Sequence, residues 1–307
     1  AKKAQDGYTM MTQAEFLSKE DGFNTPTSSW MFGMTYKDND PCIIENDADT
    51  SWGAQMINEM DYESGLGGYG NYNGPKCIDR HLYSTIPATD FRRMCWVDFA
   101  IDENATSMAD IYAGLAPYTD YAKNIAYVGY EVTKIGVGGT PVKFRPAGGA
   151  AGHANSERGF IVSVPLMRVE EMMLIEAEAA GMQDEARGIQ LLTAFAQTRD
   201  PHFTYGTHNE AYGSQSIATP FQNEIWWQRR VELWGEGFAR FDIKRYDKGV
   251  IRSYAGTNHP EGYRWNFDVY PNSMVNVFVD TEATINYDLI NNDTPSAPTE
   301  DSDEYVW

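Results

Sequence analysis

Basic residues are scarce in this sequence of 307 residues, which has 24 lysines and arginines against 44 aspartates and glutamates. The formal charge of −20 argues against nucleic acid as a partner, because binding to a phosphate backbone requires a basic face. The same charge argues against simple adhesion to anionic lipid. Charge of this kind limits the partners of a protein, but it says nothing about the fold.

Long apolar runs are also absent from the sequence. No stretch approaches the roughly 20 consecutive apolar residues that a membrane-spanning helix requires, so we expect no such helix. The chain has no initiator methionine, no secretory leader and no cysteine near its start. Its first residues, AKKAQDGYTM, read as the end of a helix that enters a turn. We therefore expect a further amino-terminal segment before this chain.

Cysteine and histidine are scarce, with three cysteines and five histidines in the whole sequence. Cys42, Cys77 and Cys95 fit no zinc motif, and the five histidines show no paired spacing. The cysteines permit one disulfide with one free thiol, or none, and we interpret them as packing residues. The acidic runs 37–40 and 45–49 offer oxygen ligands, but neither has the spacing of the common calcium loop. We assign no metal site, and no nucleophile elbow, phosphate loop or dinucleotide fingerprint occurs.

Helical periodicity is concentrated in residues 160–247. The sequence predicts a helix that has Pro165 in its first turn and ends at Gly181. Asp184 is the expected cap of a second helix over residues 185–199, and a third is predicted from about Pro220 to Trp234. The short turn between the first two predicts an antiparallel, tetratricopeptide-like hairpin.

The flanking regions have a different composition. Residues 41–158 are irregular and rich in Gly, Pro, Asn and Tyr, and a strand is predicted within residues 29–36. We therefore predict a mainly α fold, with a tetratricopeptide-like helical scaffold, a large irregular loop-rich lobe and few short strands. The predicted organisation has a loop-rich ligand lobe at 41–158, a helical core at 160–247, and a carboxyl-terminal segment with an acidic tail at 248–307.

Arginines cluster in the segment RRVELWGEGFARFDIKR, residues 229–245. Glu236 and Arg240 are four residues apart, and Asp242 and Arg245 are three apart, which are helical pairing distances. Because planar guanidinium groups suit bidentate pairing with carboxylates, we interpret these arginines as ties between helices and not as an anion site. The predicted structural set is Arg168, Glu171, Glu178, Arg229, Arg230, Glu232, Glu236, Arg240, Asp242 and Arg245, with Glu170 as a further possible partner.

These motifs resemble the carboxyl-terminal half of the SusD/RagB family. The resemblance lies in PLMRVEEMMLIEAEA, in Thr198-Arg199 and in IWWQRRVELWGEGFARFDIKR. It extends to LYSTIPATDFRRMCW (82–96), to Lys143-Phe144 and to Ile285-Asn286-Tyr287. The chain departs from the family pattern at Gln228, where the family usually has Glu, and this puts one salt bridge in doubt.

The resemblance implies a lipid-anchored protein of the outer-membrane cell surface, with an amino-terminal half that is absent here and carries the anchor. It implies a SusC-like TonB-dependent transporter as partner and an oligosaccharide as ligand, with no cofactor and no catalysis. The dense glutamates lie beside arginines, where pairing lowers their pKa and removes a general acid. Two alternatives stay open, which are a peptide-binding member of the same family and a helical scaffold that binds only another protein.

A carbohydrate site needs aromatic rings beside planar polar groups. The stretch 50–74 combines both with glycines, which make up five of the ten residues 65–74, so we expect a loop. The alternative is that its rings pack against their own loop. We interpret Trp30, Trp226, Trp227 and Trp234 as core residues. The predicted ligand-binding residues are Trp52, Tyr62, Tyr69, Asn71, Tyr72 and Asn73, with Trp265 as a separate candidate.

Overall fold

The structure is a computed structural model that describes residues 1–20, 22–36, 51–57, 59, 76–120, 138–154, 156–269 and 298–307. It is mostly helical, and within these residues its one sheet has two strands. The predicted fold class, mainly α with few short strands, is confirmed. The α-helices in chain order are α1 Gln13–Phe16, α2 Trp52–Met56, α3 Arg80–Ser84, α4 Ala100–Asn104, α5 Met108–Leu115, α6 Gly149–His153, α7 Ser156–Gly159, α8 Val169–Gly181, α9 Glu185–Ala196, α10 Pro220–Glu232 and α11 Ala239–Arg245. The 3-10 helices are Lys2–Gln5, Gly22–Asn24 and Phe91–Cys95.

The sheet joins strands that are far apart in the sequence. Strand β1 (Trp30–Met34) pairs antiparallel with β2 (Val164–Arg168), and Trp30 lies opposite Arg168. The prediction that Pro165 opens a helix is wrong, because Pro165 lies within β2 and α8 begins at Val169. Proline is tolerated at the edge of a sheet, and the residue before it is pushed towards extended geometry. Both effects favour a strand here.

Helices α8 and α9 pack against each other, as their short connection predicts. Asp184 caps α9, because its Oδ1 accepts from the backbone N–H groups of Ala186 at 3.1 Å and Arg187 at 3.4 Å. Leu174 of α8 and Leu192 of α9 are fully buried. The cap therefore acts as the sequence indicates. The buried face of α8 also includes Glu170, Glu171 and Glu178, and α9 ends at Ala196, three residues before the predicted end.

Residue contacts divide the chain into two compact units. The first consists of Ala1–Tyr205 with Gln228–Glu236, and the second consists of Gly206–Trp227 with Gly237–Trp307. The core of the second unit is formed by Tyr212, Trp226, Tyr246, Ile251 and Tyr254. The predicted organisation into 41–158, 160–247 and 248–307 stays a prediction.

The chain leaves helical geometry after α10, as the Gly-Glu-Gly sequence predicts. Gly235 has a φ of +77° and Gly237 has a φ of +91°, in the region that residues with a side chain rarely adopt. Of the tryptophans expected in the core, Trp234 is half-buried and lies edge-on to Trp96, with ring centroids 5.7 Å apart. The other three, Trp30, Trp226 and Trp227, are buried.

Among the described helices, none combines the length and the apolar character needed to cross a bilayer.

Candidate functional site

The first unit contains a buried network of charged side chains, which we call the ion cluster. Its members are spread over residues 90–236 and include an equal number of basic and acidic groups. The four basic members are Arg92, Lys143, Arg168 and Arg199, and the four acidic members are Asp90, Glu170, Glu232 and Glu236. Their side chains are at most 2% exposed, so the charges balance inside the protein core.

Glu232, the last residue of α10, is at the centre of the ion cluster. Its carboxylate lies 3.1 Å from Arg92, 3.1 Å from Arg199 and 3.4 Å from Arg168. Arg92 also contacts Asp90 at 2.7 Å. One carboxylate therefore ties α10 to three separate segments, and charged hydrogen bonds of this kind are the strong ones.

Arg168 and Lys143 complete the ion cluster around Glu236. The guanidinium of Arg168 donates from Nε at 2.8 Å and from Nη2 at 2.9 Å to the two oxygens of Glu236, a bidentate fork. Lys143 donates to the same carboxylate at 2.6 Å and to the backbone oxygens of Glu232 and Trp234. Lysine and arginine have different roles here, because only arginine presents a fork.

Aromatic rings flank three cations of the ion cluster, which are Lys143, Arg168 and Arg199. Lys143 lies 4.4 Å from the ring centre of Phe23, and Arg168 lies 4.8 Å from it. Phe16 and Phe91 flank Arg199 at 5.6 Å and 5.5 Å. The arginines of the ion cluster therefore do not line an open, water-filled cavity where an anion could bind.

The charges of the ion cluster shift the pKa of its carboxyl groups. Burial alone raises the pKa of Glu232, but Arg199, Arg168 and Arg92 outweigh burial and hold its pKa far below the usual value. Burial opposes ionisation of Glu236 as well, and Arg168 and Lys143 reverse the effect, so its pKa is also lowered. Both groups stay ionised at neutral pH and neither is poised to donate a proton.

We expect the protein to lose stability as the pH falls below 4.5, the ordinary pKa of glutamate. The folded-state pKa of Glu232 and Glu236 lies below the unfolded value, so the unfolded chain binds more protons in acid. Above that pH, the two ionised carboxylates stabilise the folded protein. As the pH falls from there towards the folded-state pKa, each group loses up to about 1.4 kcal/mol of this stabilisation per pH unit. Urea unfolding followed by tryptophan fluorescence between about pH 7 and pH 3 measures this. A free energy of unfolding that stays constant or rises over the acid range contradicts the expectation.

The other members of the predicted structural set are distributed as follows. Arg229 lies 3.8 Å from Glu171, and both are buried. Asp242 accepts from Nε of Arg245 at 2.8 Å, but the Arg245 side chain is 38% exposed. Glu178 is buried, and Arg230 and Arg240 are half-buried.

Gln228, at the position where the family usually has Glu, is fully buried on α10. Its Oε1 accepts from Nη2 of Arg92 at 2.9 Å, so the neutral amide replaces a carboxylate without losing this hydrogen bond. Its Nε2 has no hydrogen-bond partner within the described residues. Asp90 and Glu232 together supply the negative charge that Arg92 requires.

Sequence reasoning did not assign roles to Asp90, Arg92, Lys143 and Arg199. All four lie in motifs that carry the family resemblance, such as TDFRR and Lys143-Phe144. A buried role could have been suspected from their position in those motifs. Their partners could not, because Arg92 and Glu232 are 140 residues apart in the sequence.

The predicted ligand stretch 50–74 is described at residues 51–57 and 59. Trp52 opens α2, and its half-buried ring lies edge-on to Phe144, with ring centroids 4.8 Å apart. Ser51 caps α2 and also donates to the backbone oxygen of Phe160 at 3.3 Å. Gly53 lies so close to this oxygen that a Cβ would clash with it. Trp52 is thus held by a ring contact and by the close packing of its own helix. The other predicted residues of the stretch, Tyr62, Tyr69, Asn71, Tyr72 and Asn73, lie outside the described residues.

Glu59 anchors this stretch in the core. Its carboxylate is 1% exposed and accepts from Arg145 and from the hydroxyl of Thr119. The Nε2 atom of His153 lies 3.2 Å from this carboxylate, and its Nδ1 atom lies 2.9 Å from the backbone oxygen of Gly149. Burial raises the pKa of Glu59, but Arg145 and His153 outweigh it and lower that pKa. The side chain is therefore an ionised structural tie.

Trp265, the separate ligand candidate, is in the second unit. It is half-buried, and its ring centre lies 5.6 Å from that of Tyr263, which is 57% exposed. The indole Nε1 of Trp265 has no hydrogen-bond partner within the described part of the chain.

No group of three or more potential ligands for a metal ion occurs in the part of the chain that the structure describes. The acidic runs 37–40 and 45–49 lie outside that part, as does Cys42. Cys77 and Cys95 are free thiols, and burial raises their pKa to about 11 and about 12. Both therefore stay protonated and unreactive at neutral pH.

Comparison with known proteins finds a family and solved structures to which this chain is similar. The profile of the SusD family matches residues 138–294. The chain is similar to a solved SusD-like carbohydrate binding protein from Bacteroides vulgatus, at 20% identity and a TM-score of 0.50, over 90% of this chain and 43% of that one. It is also similar to surface glycan-binding protein A from Bacteroides thetaiotaomicron, at 15% identity and a TM-score of 0.54, over 94% and 56% of the two chains. The chain thus spans about half the length of these structures. No curated protein matches it.

Proposed function

The chain belongs to the SusD family, and we propose that it is a cell-surface protein that binds oligosaccharides and passes them to a TonB-dependent transporter. The family match over residues 138–294 carries this proposal. That range includes Lys143, Arg168, Arg199, Glu232 and Glu236, which form most of the ion cluster. Two structures with a similar fold are described as carbohydrate-binding and glycan-binding proteins, which supports a glycan as the ligand.

The stretch 50–74 is the ligand site that we propose. The placement of Trp52 supports this choice, because its ring is held by Phe144 while part of it stays accessible. A ring that is fixed before the ligand arrives loses little conformational freedom on binding. Glu59, inside the same stretch, provides a buried anchor for it. Tyr62, Tyr69, Asn71, Tyr72, Asn73 and Trp265 remain proposed ligand contacts.

Binding without catalysis is the activity that we propose. Glycoside hydrolysis requires a pair of carboxyl groups, one of which has a raised pKa and faces the substrate. Glu59, Glu232 and Glu236 are buried in ion pairs that lower their pKa. Glu224 has a pKa raised by burial, but backbone N–H groups of residues 206–208 occupy its carboxylate.

Attachment to the outer membrane through an amino-terminal lipid, and contact with a SusC-like transporter, are also part of the proposal. An apolar surface on the first unit supports contact with a protein. Phe32 and Met34 of β1 are 63% and 43% exposed, and Leu166 and Met167 of β2 are 40% and 38% exposed. Exposed apolar patches of this kind mark interaction surfaces. A protein partner is therefore compatible with oligosaccharide binding elsewhere on the chain.

Calorimetric titration with maltohexaose, xylohexaose and mannohexaose tests the proposed ligand class. We expect at least one of them to bind, and we expect Trp52→Ala to weaken that binding by roughly tenfold, because one stacked ring contributes on the order of 1–2 kcal/mol. Tyr72→Ala is the parallel variant in the same stretch. A colorimetric assay for new reducing ends is expected to stay at its background value.

The matched control is Tyr112→Ala, which removes a ring that is 37% exposed on α5. We expect this variant to bind as the unchanged protein does. Equal affinity in Trp52→Ala, Tyr72→Ala and the control would show that the ligand binds elsewhere. Binding of short peptides without binding of any oligosaccharide would favour the peptide-binding alternative.

A further inference from the structure

Residues 298–307, expected to be an acidic tail, are held firmly on the second unit. The backbone N–H of Ser302 donates to the backbone oxygen of Arg264 at 2.9 Å, and the backbone N–H of Tyr305 donates to the backbone oxygen of Ser253 at 2.8 Å. The carboxylate of Asp301 accepts from the backbone N–H groups of Gly262 at 3.0 Å and Arg264 at 2.9 Å. Segments near a chain end fray unless they are tied down in this way. These residues lie beyond the range that the family profile matches.

Two aromatic residues of this segment form a surface that we call the tail corner, defined as Tyr305 and Trp307. Their ring centres are 5.1 Å apart and their planes meet at 69°. The ring of Trp307 also contacts Tyr212 at 4.9 Å and Tyr254 at 5.9 Å, and both of these are buried. Rings from three tyrosines thus hold Trp307 in place.

The tail corner is held by ring contacts but stays partly exposed. Tyr305 is 43% exposed and Trp307 is 44% exposed, although both contact other rings. A tryptophan that served only to cover Tyr212 and Tyr254 would gain most by burying its whole ring. The exposed ring surface is instead available to a ligand at little cost in conformational freedom.

The charges beside the tail corner indicate the class of ligand. Asp303 and Glu304, which immediately precede Tyr305, are exposed carboxylates. Carboxylates accept hydrogen bonds from hydroxyl groups, and they repel phosphate, sulfate and other anions. Apolar ring faces beside acceptors complement a molecule that has C–H faces and many hydroxyl donors. An uncharged sugar unit fits this description.

We propose that the tail corner is a second carbohydrate-contact site, which binds neutral sugar units in addition to the stretch 50–74. This inference rests on the proposed function, and it extends that function to residues outside the family match. Trp307 supplies the stacking surface. Tyr305 flanks it, and Asp303 and Glu304 accept hydrogen bonds from the sugar hydroxyls.

Fluorine NMR of the full chain labelled with 5-fluorotryptophan tests this proposal. The protein has eight tryptophans, and the variant Trp307→Phe assigns the resonance of Trp307. We expect the Trp307 resonance to shift saturably on titration with whichever of maltohexaose, xylohexaose and mannohexaose binds by calorimetry. Tyr305→Ala is expected to weaken the affinity reported by this resonance roughly fivefold, because one ring of the site is lost.

The control variant is Phe241→Ala, which removes a ring that is 70% exposed on α11 of the same unit. The titration is also made with Trp52→Ala, in which the Trp307 shift is expected to persist. An oligosaccharide that binds by calorimetry without moving the Trp307 resonance overturns the second site and leaves the proposed function intact. Loss of the shift in Trp52→Ala, or an equal effect of Tyr305→Ala and Phe241→Ala, also overturns it. If none of the oligosaccharides binds in either measurement, the proposed function fails together with this inference.

Discussion

Replacing Glu232 by glutamine is expected to lower the free energy of unfolding by about 3–5 kcal/mol, the usual effect of breaking a buried ion pair. The carboxylate of Glu232 contacts Arg92, Arg168 and Arg199, whose side chains are at most 2% exposed. Glutamine keeps the shape and one acceptor, but it leaves the ion cluster with one more positive than negative charge. Arginine does not lose its proton in proteins, so this charge stays buried. Urea unfolding at neutral pH, followed by tryptophan fluorescence, measures the change.

The matched control for this prediction is Glu103→Gln. Glu103 pairs with Arg80 at the surface, where the two side chains are 47% and 39% exposed. Exposed ion pairs contribute about 0–1 kcal/mol, so we expect almost no change in this variant. Similar effects of the two substitutions would mean that the ion cluster is hydrated in solution and does not tie α10 to the rest of the unit.

The second large effect is expected for Glu59→Gln, which should reduce the free energy of unfolding by about 2–4 kcal/mol. This change leaves the guanidinium of Arg145 buried without its carboxylate. The loss is smaller than for Glu232, because Glu59 pairs with one arginine and not three, and the glutamine oxygen keeps one of the two hydrogen bonds from Thr119 and Arg145. Since Glu59 lies within the stretch 50–74, we also expect weaker oligosaccharide binding in this variant.

The double variant Glu59→Leu with Arg145→Met separates the contribution of the buried charges from that of side-chain packing. Replacing both charges by apolar groups removes the unpaired ion, so we expect this variant to be more stable than Glu59→Gln. Glu261→Gln is the control for charge removal, because Glu261 is 87% exposed and lies 4.0 Å from Arg264. A double variant that is less stable than Glu59→Gln would show that packing around His153 and Thr119, and not charge, holds this region together.

Local patterns in the sequence predicted the helices α8, α9 and α10, but not the short helices α2 to α6, which lie in the region 41–158 that was predicted to be irregular. The cap at Asp184, the packing of α8 against α9, and the break at Gly235 and Gly237 are all present. These features depend on residues within one turn or one hairpin of each other. Pro165 was assigned wrongly for the same reason, because a proline suits both the first turn of a helix and an edge strand. Only pairing with β1, more than a hundred residues earlier, decides between them.

The candidate site could be predicted only in part. Spacing within residues 229–245 indicated that arginines pair with carboxylates, and Asp242 and Arg245 do so. Spacing also suggested a pair between Glu236 and Arg240, whereas the contacts of Glu236 described above are with Lys143 and Arg168. The composition of residues 248–307 predicts a segment with an acidic tail, and only the structure shows that backbone hydrogen bonds and Trp307 hold residues 298–307 on the second unit.

The sequence by itself determined the family, the mainly α character, the end of α8 and the start of α9, and the residue types that would tie helices together. The tertiary structure alone decided that Glu232 serves three arginines, that Glu59 lies beside Arg145, and that Trp307 contacts Tyr212 and Tyr254. The physical reason is that local sequence patterns act only between residues that are close together along the chain. Periodicity and capping specify which face a residue presents to its near neighbours. They carry no information about which distant charge or ring the folded chain brings to that face, and burial then sets the strength of the contact.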